Sequence, residues 1–159
     1  MTRSTRLKNA ARGFTMVELV MIMVLIGVLA AIGVPRLVGD NSFAAATFGD
    51  EVASALRTAQ KTAVARRRLV CATLGASSVT LRLADEPRAA ECRIALDADG
   101  ATTTASGVTV SSHTLFFQPN GLITAGATGR ETVRGAVLIR LDGVERRRIV
   151  FEGSTGHVQ

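Results

Sequence analysis

The sequence has neither tryptophan nor tyrosine, and its only aromatic carbons beyond histidine belong to six phenylalanines. Histidine occurs twice, at His113 and His157, and neither has a metal-like neighbour at ligand spacing. Cysteine also occurs twice, and Cys71 and Cys92 form no C-x-x-C pair and have no histidine cluster beside them, so metal and redox-catalytic readings are poor. There is no G-x-S-x-G, no P-loop, no H-E-x-x-H and no glycine-rich dinucleotide fingerprint. Asp97-Ala98-Asp99-Gly100 has the opening of a calcium loop but lacks the third oxygen position and the distal glutamate, which leaves a turn between strands. No enzyme, metal or other cofactor is expected.

Acidic residues are missing where basic ones gather. Arg3, Arg6, Lys8 and Arg12 precede any carboxylate, and they supply four of the six net positive charges of the 159-residue chain. The remaining 15 basic and 13 acidic residues nearly cancel, so the high charge is a leader effect and weak evidence for nucleic-acid binding. An apolar run comes directly after the leader. Phe14–Val34 is twenty-one residues with a single charge, Glu18. At about 1.5 Å per residue such a helix spans roughly 30 Å, the hydrocarbon thickness of a bilayer. A carboxylate costs about 2.5–3.5 kcal/mol at a membrane centre and less near an interface, so Glu18 calls for a partner. The basic leader predicts a cytoplasmic N-terminus and export of everything beyond Pro35.

The run is longer than a secretory signal core and no A-x-A-like site lies just beyond it. The small residue stands before it instead, at Gly13, which puts a processing point on the cytoplasmic side and leaves the apolar helix on the mature chain. Gly33 and Pro35 predict a kink or soft joint, because proline removes a backbone donor and clashes with the preceding turn. Helical spacing then resumes: Phe48, Val52, Leu56, Ala59 and Ala63 form one apolar stripe, opposite Asp50, Glu51, Arg57, Gln60 and Lys61. Arg66-Arg67-Arg68 closes this helix, where cations suit the dipole, with a binding patch as the alternative.

From Leu69 the period is two: Val79, Leu81 and Leu83; Ile94 and Leu96; Val108 and Val110; Leu115 and Phe117; Val137, Ile139 and Leu141; then Val144–Phe151. Asp142-Gly143 is a hairpin signal and Pro119-Asn120-Gly121 a turn; residues 84–92, 97–107 and 125–135 read as loops. The fold class is therefore α+β, a long N-terminal helix whose second half packs on an antiparallel β domain. The segments are 1–13 (leader), 14–34 (transmembrane helix), 35–68 (amphipathic half of the helix) and 69–159 (β domain). Cys71 and Cys92, exported, favour a structural disulfide over two buried thiols, with about 3 kcal/mol of stabilisation from closing a loop of about 20 residues. Arg146, Arg147 and Arg148 lie on the last long strand, Arg146 and Arg148 on one face; a solvated rim and a DNA contact are both open, and no aromatic stacks among them.

Gly13-Phe14-Thr15-Met16-Val17-Glu18-Leu19 resembles the prepilin leader of type IV pilins and type II secretion pseudopilins. The resemblance implies cleavage between Gly13 and Phe14 by a membrane aspartyl prepilin peptidase, with N-methylation of Phe14. It makes Glu18 the fifth residue of the mature chain and an assembly residue, and Pro35 the twenty-second. In a staggered bundle the Glu18 carboxylate of one subunit then meets the Phe14 amine of the next, each compensating the other in a low-dielectric setting. Ala63-Val-Ala-Arg-Arg-Arg-Leu-Val70 after an alanine-rich helix, and the closing Gly153-Ser-Thr-Gly156-His-Val158, resemble the GspH/FimT group of minor subunits; Ala59–Cys71 with Cys92 is similar to a minor pilin of the mannose-sensitive haemagglutinin (MSHA) type. The resemblance implies a pilin-like fold, a structural role in a type IV pilus or a type II secretion pseudopilus, and a place in the bacterial inner membrane before assembly. Its partners would be other pilin subunits, the prepilin peptidase, an inner-membrane assembly platform and membrane lipid. Some FimT-like pilins bind DNA through a C-terminal Gly-Arg-x-Arg; here that place reads Gly156-His157-Val158-Gln159, without arginine, so nucleic acid is not expected as a partner.

Overall fold

The computed structural model of the chain describes residues 14–38 and 41–159. It falls into two compact units, residues 1–40 and 41–159; the described residues of the first form α1 (Met16–Val38). Apart from Glu18, the Met16–Gly33 stretch of α1 is apolar, and it buries nothing within the chain. A helix of that kind is stable only in lipid or against other apolar helices. Helical backbone continues through Gly33 and Pro35 to Val38. The next helix is α2 (Asn41–Arg66).

In the second unit α2 packs on two antiparallel sheets. The strands are β1 (Val70–Leu74), β2 (Ser78–Ala84), β3 (Cys92–Ala95), β4 (Ala101–Thr102), β5 (Val108–Val110), β6 (His113–Phe117), β7 (Ile123–Thr124), β8 (Arg134–Leu141), β9 (Val144–Glu152) and β10 (His157–Val158). One sheet runs β3-β2-β1-β6-β7 with β4 beside β2; the other runs β10-β9-β8-β5. The chain therefore changes sheet between β4 and β5, between β5 and β6, and again between β7 and β8. Backbone bonds hold the seam: Ser111 N–H donates to Leu138 O at 2.9 Å, and Ile123 N–H to Gly153 O at 2.9 Å. Gly153 N–H in turn donates to Val133 O at 2.7 Å. A Cβ on Gly153 would collide with the carbonyl oxygens of Ile123 and Val133, so this crossing needs glycine.

The stripe Phe48, Val52, Leu56, Ala59 and Ala63 is buried, as its spacing requires. Ala45, Ala53 and Ala55 are buried as well, because a helix facing two sheets buries a wider arc than one facing a single sheet. Phe117, Leu81, Leu83, Ile123, Ile139 and Ile149 complete the centre. The pair Ile94 and Leu96 does not behave as a core strand. β3 is an edge strand with Ile94 exposed, and Leu96 already leads into a 3-10 turn, Asp97–Asp99. The Asp142-Gly143 hairpin has φ of 51° and 80°, the pair of left-handed residues that a type I′ turn demands.

Two turns place arginine where glycine is usual. Arg68 N–H donates to Ala63 O at 3.2 Å and Arg67 N–H to Val64 O at 3.3 Å, the two bonds of a Schellman end to α2. Arg67 occupies the left-handed position of that motif, φ 53°. Glu86-Pro87-Arg88-Ala89 forms a turn closed by Ala89 N–H to Glu86 O at 3.3 Å, with Arg88 at φ 71° in its third place. Proline second and positive φ third define a type II turn, which favours glycine there.

Candidate functional site

The apolar run begins at a helix cap. Glu18 N–H donates to Thr15 Oγ1 at 3.2 Å, and Leu19 N–H donates to the Thr15 carbonyl at 3.1 Å. Thr15 is thus the N-cap of α1 and Glu18 its third residue, in the Thr-x-x-Glu order of a capping box. Sequence reasoning singled out Glu18 and passed over Thr15, although the three-residue spacing was the signal. The cap fixes where the helix starts, and with it the depth of the carboxylate in the first turn. Phe14, immediately before the cap, is three-quarters exposed. Gly13 and the rest of the leader lie outside the described residues, as does the side chain of Pro35.

The three strand arginines have separate roles. Ile139 on β8 pairs with Arg147 on β9, but Arg140 pairs with Glu145, so a bulge falls at Arg146. Arg147 lies on the face that carries Ile149 and Phe151, reaches α2 and pairs with Asp50 at 2.6 Å. Its stem covers Gly49, where a Cβ would stand 2.6 Å from Arg147 Cδ. Arg148 is held on the outer face by Glu145, through Nε–Oε1 at 3.0 Å and Nη2–Oε2 at 2.9 Å. Arg146 is exposed and forms no ion pair among the described residues. Two of the three cations are therefore already matched by carboxylates, and they do not form a shared phosphate-binding face.

Cys71 and Cys92 are joined, with Cα atoms 6.0 Å apart. The bond ties β1 to β3 across β2, the strand between them, and so secures an otherwise exposed edge. His113 Nδ1 lies 3.2 Å from the Ser111 carbonyl, and its ring sits edge-on to Phe151 at 6.3 Å, a packing role at the sheet crossing. His157 faces Gln159, with Nε2 3.3 Å from Oε1. Among the described residues no three His, Cys, Asp or Glu side chains gather as metal ligands.

A cavity of about 570 Å³ opens beside the end of α2. Arg67, Arg88 and Arg130 line it with Leu69, Gln118 and Thr128. The loop that carries Arg130 is pinned by Gln118, whose Nε2 donates to Thr124 Oγ1 at 2.9 Å and to Ala127 O at 3.3 Å. Thr124, fully buried, donates onward to Gly126 O at 2.8 Å. Of these residues sequence reasoning had weighed only Arg67, as part of a helix-end triplet. Arg88 and Arg130 come from loops far apart in the chain, and nothing local announces that they line one cavity.

Residues 8–34 match the Prokaryotic N-terminal methylation motif. No curated protein and no solved structure matches the chain. The matched stretch includes Gly13, Phe14, Thr15 and Glu18 and extends to the end of the apolar run. The chain thus carries a prepilin-type motif on a helix long and apolar enough to cross a membrane, followed by an α+β unit.

Proposed function

We propose that this chain is a minor pilin or pseudopilin, a structural subunit of a type IV-like filament, of the GspH/FimT kind. The observation that carries the reading is the coincidence of the methylation motif with the Thr15 cap, which sets Glu18 one turn from a new amine at Phe14. Cleavage between Gly13 and Phe14 converts an amide into a cationic amine, which methylation leaves cationic. In the inner membrane the subunit waits as a single-pass protein, leader side cytoplasmic and β unit periplasmic. During assembly the Glu18 carboxylate of one subunit meets the Phe14 amine of its neighbour, and each charge offsets the desolvation of the other. The apolar surface of α1 suits both states, because lipid tails and neighbouring helices are equally apolar. The α2–β unit then decorates the filament, with its edge strand closed by the Cys71–Cys92 link. An MSHA-type pilus and a type II secretion pseudopilus both fit these features.

Intact-mass measurement of the chain, co-expressed with a prepilin peptidase, tests the reading. The expected species begins at Phe14 and carries one extra methyl. A chain that keeps Met1 or Thr2 under those conditions is a plain membrane-anchored module and not a filament subunit.

A further inference from the structure

The arginine-lined cavity has no part in assembly through α1. Three guanidinium groups line it, and among the described residues no carboxylate does. Asp85, Glu86 and Glu91 line a different depression. Arg93 takes Glu91 at 2.7 Å and Asp85 at 3.7 Å in that depression. Arg68 donates to the Asp85 carbonyl at 2.8 Å and is not part of the lining.

The second observation is conformational. Arg67 and Arg88 both hold left-handed backbone, at φ 53° and 71°, in two unrelated motifs that each favour glycine. Such strain persists where surrounding structure over-determines it, and it clusters at ligand sites. Here the two strained positions line one cavity, opposite a loop that Gln118 and Thr124 hold in place. The volume is that of a small-molecule site, and guanidinium is the side chain that matches tetrahedral oxyanions with paired donors. Leu69, Pro87 and Pro119 supply an apolar wall for the body of a ligand.

We infer that this cavity binds a compact phosphate-bearing ligand, its oxyanion held by Arg67, Arg88 and Arg130. A pocket lined by three arginines on separate loops fits a terminal phosphate or diphosphate, whereas a nucleic-acid strand needs a continuous basic groove and stacking surfaces. Thr128 is a hydroxyl donor on the same wall.

The test is calorimetric titration of the full chain in non-ionic detergent with sodium pyrophosphate, at constant ionic strength. Saturable binding of one pyrophosphate per chain is expected. Arg88→Gln and Arg130→Gln should each weaken it about fivefold or more, by loss of charge-assisted hydrogen bonds. Arg146→Gln, on β9, should leave it unchanged. Arg67→Gly should weaken binding while raising the thermal midpoint, so that loss of affinity cannot be put down to unfolding. Non-saturating heat, or affinity that is the same in all four variants, would overturn the assignment. So would tighter binding of a short single-stranded oligonucleotide with the same arginine dependence, because that would make the site a nucleic-acid groove. If Arg88→Gln plus Arg130→Gln reduced filament incorporation and no pyrophosphate bound to the unaltered chain, the cavity would be a subunit contact and the inference would fail.

Discussion

Arg147 on β9 reaches Asp50 on α2 at 2.6 Å, and its aliphatic stem lies where a side chain on Gly49 would be. The helix is thereby seated on the sheet by one glycine and one arginine together. Alanine at position 49 would gain about 0.8–1.0 kcal/mol in helix propensity but must displace the Arg147 stem. In the unaltered chain we expect Gly49→Ala to be neutral or destabilising. In an Arg147→Ala background the same change should stabilise by about 1 kcal/mol. Urea unfolding of the four chains measures the coupling, and equal effects in both backgrounds would show that the two residues do not meet.

Reduction or replacement of the Cys71–Cys92 bond loosens β3, the edge strand with few buried side chains. Cys71→Ser plus Cys92→Ser should lower stability by about 3 kcal/mol, the chain-entropy estimate for a loop of about 20 residues. The denaturant midpoint reads this directly. Alkylation without reductant should add nothing to the mass of the unaltered chain.

Arg67 stands in a helix end that glycine would relax. Relief of about 1–2 kcal/mol of left-handed strain outweighs the extra freedom glycine gives the unfolded chain. Arg67→Gly should therefore raise stability by about 0.5–1 kcal/mol, or about 3 °C in thermal midpoint. A lower midpoint would mean that the side chain itself holds the helix end.

Much of the fold was legible in local periodicity. The 3.6-residue stripe from Phe48 to Ala63 gave α2, and alternation gave β2, β5, β6, β8 and β9 with their inward residues. Asp142-Gly143 gave the long hairpin, because left-handed pairs have a strong residue preference. Other features depend on contacts distant in sequence. Division into two sheets rests on crossings at Ser111, Ile123 and Gly153, which have no local pattern. Ile94 misled because an edge strand can carry an apolar residue outward, and alternation does not say which face is covered. The bulge at Arg146 separates the members of a basic triplet that is uniform in sequence, and only the pairing with β8 reveals it. Of the N-terminal site, Glu18 stood out through its charge, while Thr15 was hidden among apolar neighbours as an ordinary polar residue. The cavity was the least legible. Arginine carries no signature of positive φ, and the three that line the cavity come from a helix end and two loops.

The central claim is that Glu18 serves contact between subunits, with a role in helix capping that does not by itself require a partner. Glu18→Ala removes the carboxylate but keeps the Thr15 cap bond, which uses the backbone N–H of residue 18. The deciding measurement is the amount of this variant in sheared filaments, relative to the processed protein left in the membrane, set against the unaltered chain. Normal processing at Phe14 with incorporation reduced at least about tenfold, the effect of about 1.4 kcal/mol or more of lost pairing, is the expected result. Normal processing with undiminished incorporation would contradict the ion-pair role of Glu18.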